Sequence, residues 1–312
     1  EQLAPAALGP GLVTAVEFAD VDGDRDPDLL LAGEWMNVML LRNDGGRFTD
    51  ASREAGLDST QGWWYSLATA DVNGDGFVDL IGGNLGWNSK FKATAHKPVH
   101  VYWADFDNNG RHDIVLAKEK EGHLLPVRGR ECSSQQCPMI TDKFKSYDDF
   151  AKADLSAIYT TEKLAAAYHR TAVFMKSAVF LNDGHGHFTV KELPMLAQSA
   201  PINGIVPLDV NGDGKTDLVV AGNNWGAEVE TARYDAGTGL VLIGDGSGNF
   251  TPLSIAASGF FAWNNAKDLA LLHTGPEKEP MIVVANNNDA FQAFPLRTPG
   301  TLANGITARA PR

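Results

Sequence analysis

The sequence predicts an all-β fold, a β-propeller of four-stranded blades with Asp-rich loops and one short helical insertion at about 141–170. Three observations predict it: an Asp-rich phrase recurs four times, a Gly/Asp hairpin turn recurs three times, and short apolar runs flank both. At 312 residues, 44% hydrophobic and 21% charged, the composition is globular, and a propeller of this length forms one unit. We therefore expect a single domain over residues 1–312.

The recurring phrase reads ADVDGDRDPDLLLAG from Ala19, ADVNGDGFVDLIGG from Ala70, ADFDNNGRHDIVLA from Ala104 and LDVNGDGKTDLVVAG from Leu208. Side-chain oxygens fall at loop positions 1, 3, 5 and 9. These are Asp20, Asp22, Asp24 and Asp28; Asp71, Asn73, Asp75 and Asp79; Asp105, Asp107, Asn109 and Asp113; and Asp209, Asn211, Asp213 and Asp217. Position 7, occupied by Asp26, Phe77, Arg111 and Lys215, would offer a backbone carbonyl. Calcium takes about six to eight oxygen ligands, and alternate residues of a tight loop can all point inward, so the pattern predicts about four calcium ions. Magnesium fits less well because it demands near-ideal octahedral geometry. Four divalent ions would bring the formal charge from −13 to −5 and relieve the repulsion among the loop carboxylates.

Asp, Asn and Gly also favour turns for their own sake. That explains one copy, but not four copies with the same ninth-position Asp. An EF-hand needs a Glu at position 12 and flanking helices, whereas here position 12 is Leu31, Gly82, Leu116 or Val220 and a β-type run follows.

The hairpins are LLRNDGGRFTD from Leu40, VFLNDGHGHFTV from Val179 and VLIGDGSGNFTPL from Val241, each with an inward Phe at 48, 188 or 250. Strand, loop, strand and hairpin together make one blade. The first Asp of each loop falls at 20, 71, 105 and 209, and the long last interval predicts the insertion. Residues 141–170 lack strand alternation and read as helical, with a capping box at Ser146–Asp149. The last repeat, PMIVVANNNDAFQAF from Pro280, keeps the strand and the turn without acidic ligands, as a blade without metal would. Five blades are recognisable, either a small closed propeller or part of a larger one.

A net charge of −13 argues against binding nucleic acid through its phosphates. No run of 18 apolar residues predicts a transmembrane helix. The chain starts at Glu1 with neither Met nor a leader, so we expect a processed terminus or a cut within a longer protein. Cys132 and Cys137 read equally as a small-loop disulfide or as two free thiols.

Trp35, Trp87 and Trp225 each follow a ninth-position Asp by seven or eight residues. They form either an aromatic platform for a sugar or protein partner, or packing between blades. Glu230, Arg233 and Asp235, with Glu228, Tyr234, Arg128, Arg130 and Glu131, line either a catalytic pocket or a solvated loop. His185 and His187 lie in a turn and are expected to be exposed. No nucleophile elbow, HExxH, Walker loop or dinucleotide fingerprint is present.

Beyond these motifs, the chain resembles the FG-GAP/VCBS-repeat propeller family, whose calcium loops also occur in integrin α-chain heads. More narrowly it resembles the C-terminal part of secreted proteins of the ASPIC/UnbV and cartilage-acidic-protein type. That resemblance rests on LAGEWMNVMLLRNDGGRFTD, GWWYSLATADVNGDGFVDLIGGNLGWNSKF, PVRGRECSSQQ, ARYDAGTGLVLIGDGSGNF and VVANNNDAFQAF, and covers nearly the whole chain. A recognisable UnbV domain is lacking.

The expected function is a calcium-binding, non-enzymatic binding or scaffolding module with a protein or glycan partner. It would be secreted, periplasmic or on the outer cell surface. The alternatives are a lectin-like protein or carbohydrate-active enzyme with its site near Glu230, Arg233 and Asp235, and a structural subunit of an envelope complex.

Overall fold

The computed structural model describes residues 9, 11–228, 230–276 and 278–296. The same antiparallel unit recurs along the chain, because each Asp-rich loop turns one apolar strand back against the next. The first sheet is β1 (Leu12–Ala19), β2 (Asp28–Met36), β3 (Met39–Asp44) and β4 (Arg47–Asp50), paired in sequence order. Its central strand β2 buries Leu30, Leu31 and Ala32 in succession, as a strand covered on both faces must.

The second sheet opens with β5 (Gly62–Ala70) and β6 (Asp79–Asn84). It is joined to the first where Glu34 faces Trp63 and Met36 faces Gly62, with a bulge at the intervening Trp35. Gly82 lies so near the Trp64 ring that a methyl there would stand 2.7 Å from it, so this strand and the buried indole approach closely only because position 82 is glycine.

At this point the chain departs from the expected order. Residues 85–177 leave the second sheet after two strands and build a sheet of their own from β7 (Val99–Ala104), β8 (Asp113–Lys120) and β9 (His123–Pro126). Five short helices follow: α1 (Arg130–Gln136), α2 (Met139–Lys143), α3 (Tyr147–Ala151), α4 (Leu155–Tyr159) and α5 (Thr161–Ala166). β10 (Tyr168–Ala172) then returns along β7, giving the order β10-β7-β8-β9.

The helical segment therefore begins earlier than the expected 141–170 and ends at Ala166, and Tyr168, His169 and Arg170 are strand. Helix α3 does start from Ser146, whose hydroxyl accepts from the Asp149 N–H. The inserted sheet has two different faces. Tyr102, Val115 and Ala117 pack on Ile140, Phe150, Leu155 and Ile158 of the helices, while the alternate residues face the other way.

Only then do β11 (Ala178–Asn182) and β12 (Phe188–Glu192) complete the second sheet. The hairpin at Val179 thus belongs to the loop at Asp71, not to the nearer loop at Asp105, and the third Asp loop sits inside the insertion. A third sequential sheet is β13 (Gly204–Leu208), β14 (Asp217–Ala221), β15 (Leu240–Gly244) and β16 (Phe250–Pro252). The last described sheet has three strands, β17 (Ala266–Thr274), β18 (Glu279–Asn286) and β19 (Gln292–Pro295).

The first strands β1, β5, β13 and β17 contact one another in turn, so these sheets stand side by side along one arc. Phe188 and Phe250 are buried between neighbours and Phe48 is half-buried, as the hairpin pattern requires. Among the described residues no helix is long and apolar enough to cross a membrane.

Candidate metal loops and an aromatic cavity

Each Asp loop is first a hydrogen-bonded knot. In the loop from Asp20, Oδ1 and Oδ2 of that residue accept from the N–H groups of Gly23 and Arg25, at 2.8 and 2.9 Å. Asp71 and Asp209 accept from Gly74 and Gly76, and from Gly212 and Gly214, in the same way. Backbone N–H donation, led by Gly110 for Asp105 and by Gly214 for Asp209, holds both carboxyls below the usual range.

The ninth-position Asp does something else. Asp28, Asp79 and Asp217 are fully buried, and each uses both oxygens as a bracket. One oxygen accepts from the second loop residue, Val21, Val72 or Val210, at 2.9–3.0 Å. The other accepts from the third strand of the same sheet, Asn43, Asn182 or Gly244, at 2.8 Å. Asp113 accepts from Phe106 in the same manner, but its other partner is the Cys137 thiol. Burial, with smaller contributions from neighbouring loop carboxylates, pushes Asp28, Asp79 and Asp217 above the usual carboxylate range.

These donor sets fit a calcium ion. Oxygens of Asp20, Asp22 and Asp28 lie within 4.8 Å of one another, as do those of Asp105, Asp107 and Asp113. Two ligands about 2.4 Å from one ion can be at most about 4.8 Å apart. In the second and fourth loops position 3 is Asn73 or Asn211, whose amides donate to Asp75 and Asp213, so an ion there would draw on fewer charges.

The strands place a different site at their other ends. Trp63 opens β5 and Asp71 follows its end, so the two stand about 26 Å apart along the strand. There, a cavity of about 700 Å³ lies between the sheet ends and the inserted sheet. Its first wall carries Glu34, Trp35, Trp63 and Tyr65, and the facing wall carries Val101, Trp103, Ile114, Leu116, Tyr168 and Arg170. Each facing strand contributes residues i and i+2, the face turned away from the helices. The aromatic rings meet edge-on: Trp35 and Trp63 at 5.0 Å, Trp63 and Phe91 at 4.7 Å, and Trp103 and Tyr168 at 6.5 Å.

The cavity also holds Glu228, Thr231 and Tyr234. Glu228 accepts from Arg128 at 2.9 Å and Thr231 at 3.0 Å and pairs with Lys90 at 3.4 Å. Burial pushes its carboxyl up, but these donors outweigh burial and hold it below the usual range. Glu34 meets the Tyr65 phenol instead, and burial raises its pKa. Burial, the Glu34 charge and the neighbouring Tyr234 push Tyr65 well above its usual value.

Of the sequence candidates, Trp35, Glu228 and Tyr234 line this cavity. Trp87 lies beneath the Lys176 and Lys92 ammonium groups, at 4.9 and 5.3 Å, and Trp225 lies beneath the Arg233 guanidinium at 4.5 Å. Glu230, Arg233 and Asp235 are not part of this cavity's lining: Glu230 accepts from the Gly129 N–H, and Arg233 pairs with Asp235 at 3.5 Å on the surface. The carboxylate of that segment that reaches the cavity is Glu228, two residues before Glu230, and it accepts from Arg128. Arg130 donates to the Phe144 carbonyl and Glu131 accepts from Tyr147, both within the helical layer. His185 and His187 are exposed. Cys132 and Cys137 are free thiols, with Cys137 buried in the helical core. Strand alternation in GWWYS and VHVYWA was the signal for Trp63, Tyr65 and Trp103.

A family model of the FG-GAP-like repeat matches residues 14–82, which spans the first sheet and the opening hairpin of the second. No curated protein matches the chain. Among solved structures it is similar to an Agrocybe aegerita lectin that recognises non-reducing terminal N-acetylglucosamine. That likeness has 16% identity and a TM-score of 0.20, over 90% of this chain and 80% of that one. It is similar also to the V. cholerae biofilm matrix protein Bap1, at 9% identity and a TM-score of 0.31 over 91% of this chain, and spans 63% of Bap1. Scores this low carry neither protein's fold nor its ligand to this chain.

Proposed function

We infer that this chain is a calcium-stiffened β-propeller acting as an extracytoplasmic binding or adhesion-type module with a protein or glycan partner. The observation that carries the reading is the division of labour along the strands. Carboxylate loops gather at one end of the sequential sheets, and an aromatic cavity stands at the other. Calcium at the loops would cancel carboxylate repulsion and lock each turn, as extracellular concentrations of the ion allow. The ion would not bridge to a ligand across that distance.

The loop at Asp105 is the exception, since Trp103 precedes it by two residues, Ile114 follows Asp113 directly, and His112 stacks on Trp103 at 4.2 Å. An ion there would steady one cavity wall. All four loops, through Asp20, Asp71, Asp105 and Asp209 and their following ligands, belong to this reading, as does the narrower kinship with ASPIC/UnbV proteins.

A glycan array, probed in millimolar calcium and again in chelator, tests the reading. Calcium-dependent binding that is lost in Trp35→Ala supports a glycan-binding module seated at the cavity. Hydrolysis of a bound glycan would instead assign an enzyme using Glu34 and Glu228. Binding unaffected by chelator would confine calcium to stabilising the loops.

A further inference from the structure

The aromatic cavity holds polar groups that the fold itself leaves unused. Trp63 is 8% exposed, and its indole N–H has no partner among the described residues; nor has the buried Tyr234 hydroxyl. An unpaired buried polar group costs free energy, so each calls for a partner that the chain does not supply. Glu34 stands opposite Trp63 in register, which sets a carboxylate acceptor beside that N–H donor on one wall. The Tyr65 phenol meets Glu34 and lies near Tyr234, and Tyr234 in turn feels the Glu228 charge, so these groups are neighbours within one cavity.

Much of the other wall is already engaged. The Arg170 guanidinium lies over the Tyr168 ring at 5.2 Å and donates to the Tyr168 hydroxyl and the Gly9 carbonyl, and His112 stacks on Trp103 at 4.2 Å. No cation covers the half-buried Trp35 ring among the described residues. Trp35 sits at φ 62°, left-handed backbone that a bulky side chain rarely adopts, and such strain clusters at ligand clamps.

We propose that this cavity binds a neutral hexopyranose unit of a glycan, stacked on Trp35, with its hydroxyls meeting the Trp63 N–H, Glu34 and the Tyr234 hydroxyl. The ligand must accept from the Trp63 N–H and donate to Glu34, and hydroxyls on adjacent ring carbons do both at once. The C–H face of the same ring suits an aromatic wall. An ammonium head has nothing with which to accept from Trp63. An acidic sugar would bring its carboxylate beside Glu34 and Glu228, with the Arg170 guanidinium already committed. Neither orphan atom is open to water, so a bound hydroxyl, met by a small turn of either side chain, adds a hydrogen bond without displacing one to water. A volume of about 700 Å³ lies within the range of small-ligand sites. The proposal names the ligand class of this site and rests on the reading of this chain as a binding module.

The test is a calorimetric titration of the full chain in saturating calcium with the methyl glycosides of glucose, galactose and mannose, and with the uronic acid counterpart of each. At least one neutral glycoside is expected to bind saturably, about tenfold tighter than its uronic counterpart. Trp63→Phe, which keeps a ring and removes the N–H, is expected to weaken that sugar about tenfold. Tyr234→Phe should weaken it by a similar factor while leaving the melting temperature unchanged or raised, because the hydroxyl it deletes has no partner in the fold. A hydroxyl with a purely structural role would lower the melting temperature and leave the affinity alone. The proposal is overturned if no neutral glycoside binds saturably, if a uronic acid binds as tightly, or if the affinity is unchanged in either variant. Failure of every sugar with calcium still raising the melting temperature leaves the binding-module reading standing, with a protein as the partner. Loss of the calcium effect would fell that reading instead.

Discussion

Replacing Asp79 by Ala should destabilise the protein even when no metal is present. The Asp79 carboxylate is fully buried and accepts from the Val72 N–H at 2.9 Å and the Asn182 N–H at 2.8 Å. Removing it leaves two buried backbone donors unpaired, each costing about 1–3 kcal/mol. Relief of the desolvated charge offsets part of this, since burial already raises the Asp79 pKa. We expect a net loss of about 3 kcal/mol. The loss should appear as a lower urea midpoint in chelator, with an unchanged slope. Asp58→Ala, an exposed control, should lie within about 0.5 kcal/mol of wild type. An Asp79→Ala midpoint equal to that of the control, measured in chelator, would refute the claim that this residue clamps the β11 hairpin onto its loop.

Calcium stabilisation should strengthen with pH. Asp28, Asp79 and Asp217 have raised folded-state pKa values, so without metal their contribution is full below the unfolded pKa and is lost as pH rises through the folded one. Calcium requires the ionised forms, so the melting-temperature gap between calcium and chelator should widen from about pH 4 to about pH 7; a constant gap would contradict this. A thiol reagent should leave Cys137 unreacted in the native protein, since burial and the Asp113 carboxylate push its thiol up to about 12. Two thiols should react after denaturation without reductant, and none would mean a disulfide. Glu228→Gln should cost about 1–2 kcal/mol through its half-buried Arg128 and Lys90 partners, whereas Asp235→Asn should be neutral within error in the same melt.

The two recurring phrases were legible in sequence, and the structure explains why they travel together. The hairpin motif supplies the N–H of Asn43, Asn182 or Gly244 to the ninth-position Asp, so loop and hairpin are halves of one lock. What sequence order concealed was which halves pair. The hairpin at Val179 closes on Asp79 across 103 residues, because the insertion leaves and re-enters the same sheet. The helical segment was legible from its lost alternation and the Ser146 cap, but β10 was not, since YHRTA becomes a strand only by pairing with β7. The cavity was harder still. Seven-to-eight-residue spacing from an Asp selected Trp35 but also Trp87 and Trp225, whose rings are covered by lysine and arginine. Period-two alternation selects Trp63 with Tyr65, and Val101 with Trp103, yet nothing in it says that two distant strands face one cavity.

Calcium as the ion that stiffens these loops is the central claim, and thermal melting in chelator, in millimolar magnesium and in millimolar calcium tests it most directly. Saturating one site a hundredfold over its dissociation constant adds about 2.7 kcal/mol. The account predicts a melting temperature raised by several degrees in calcium and little changed in magnesium, with part of the gain lost in Asp20→Ala. Identical melting in all three buffers would contradict it.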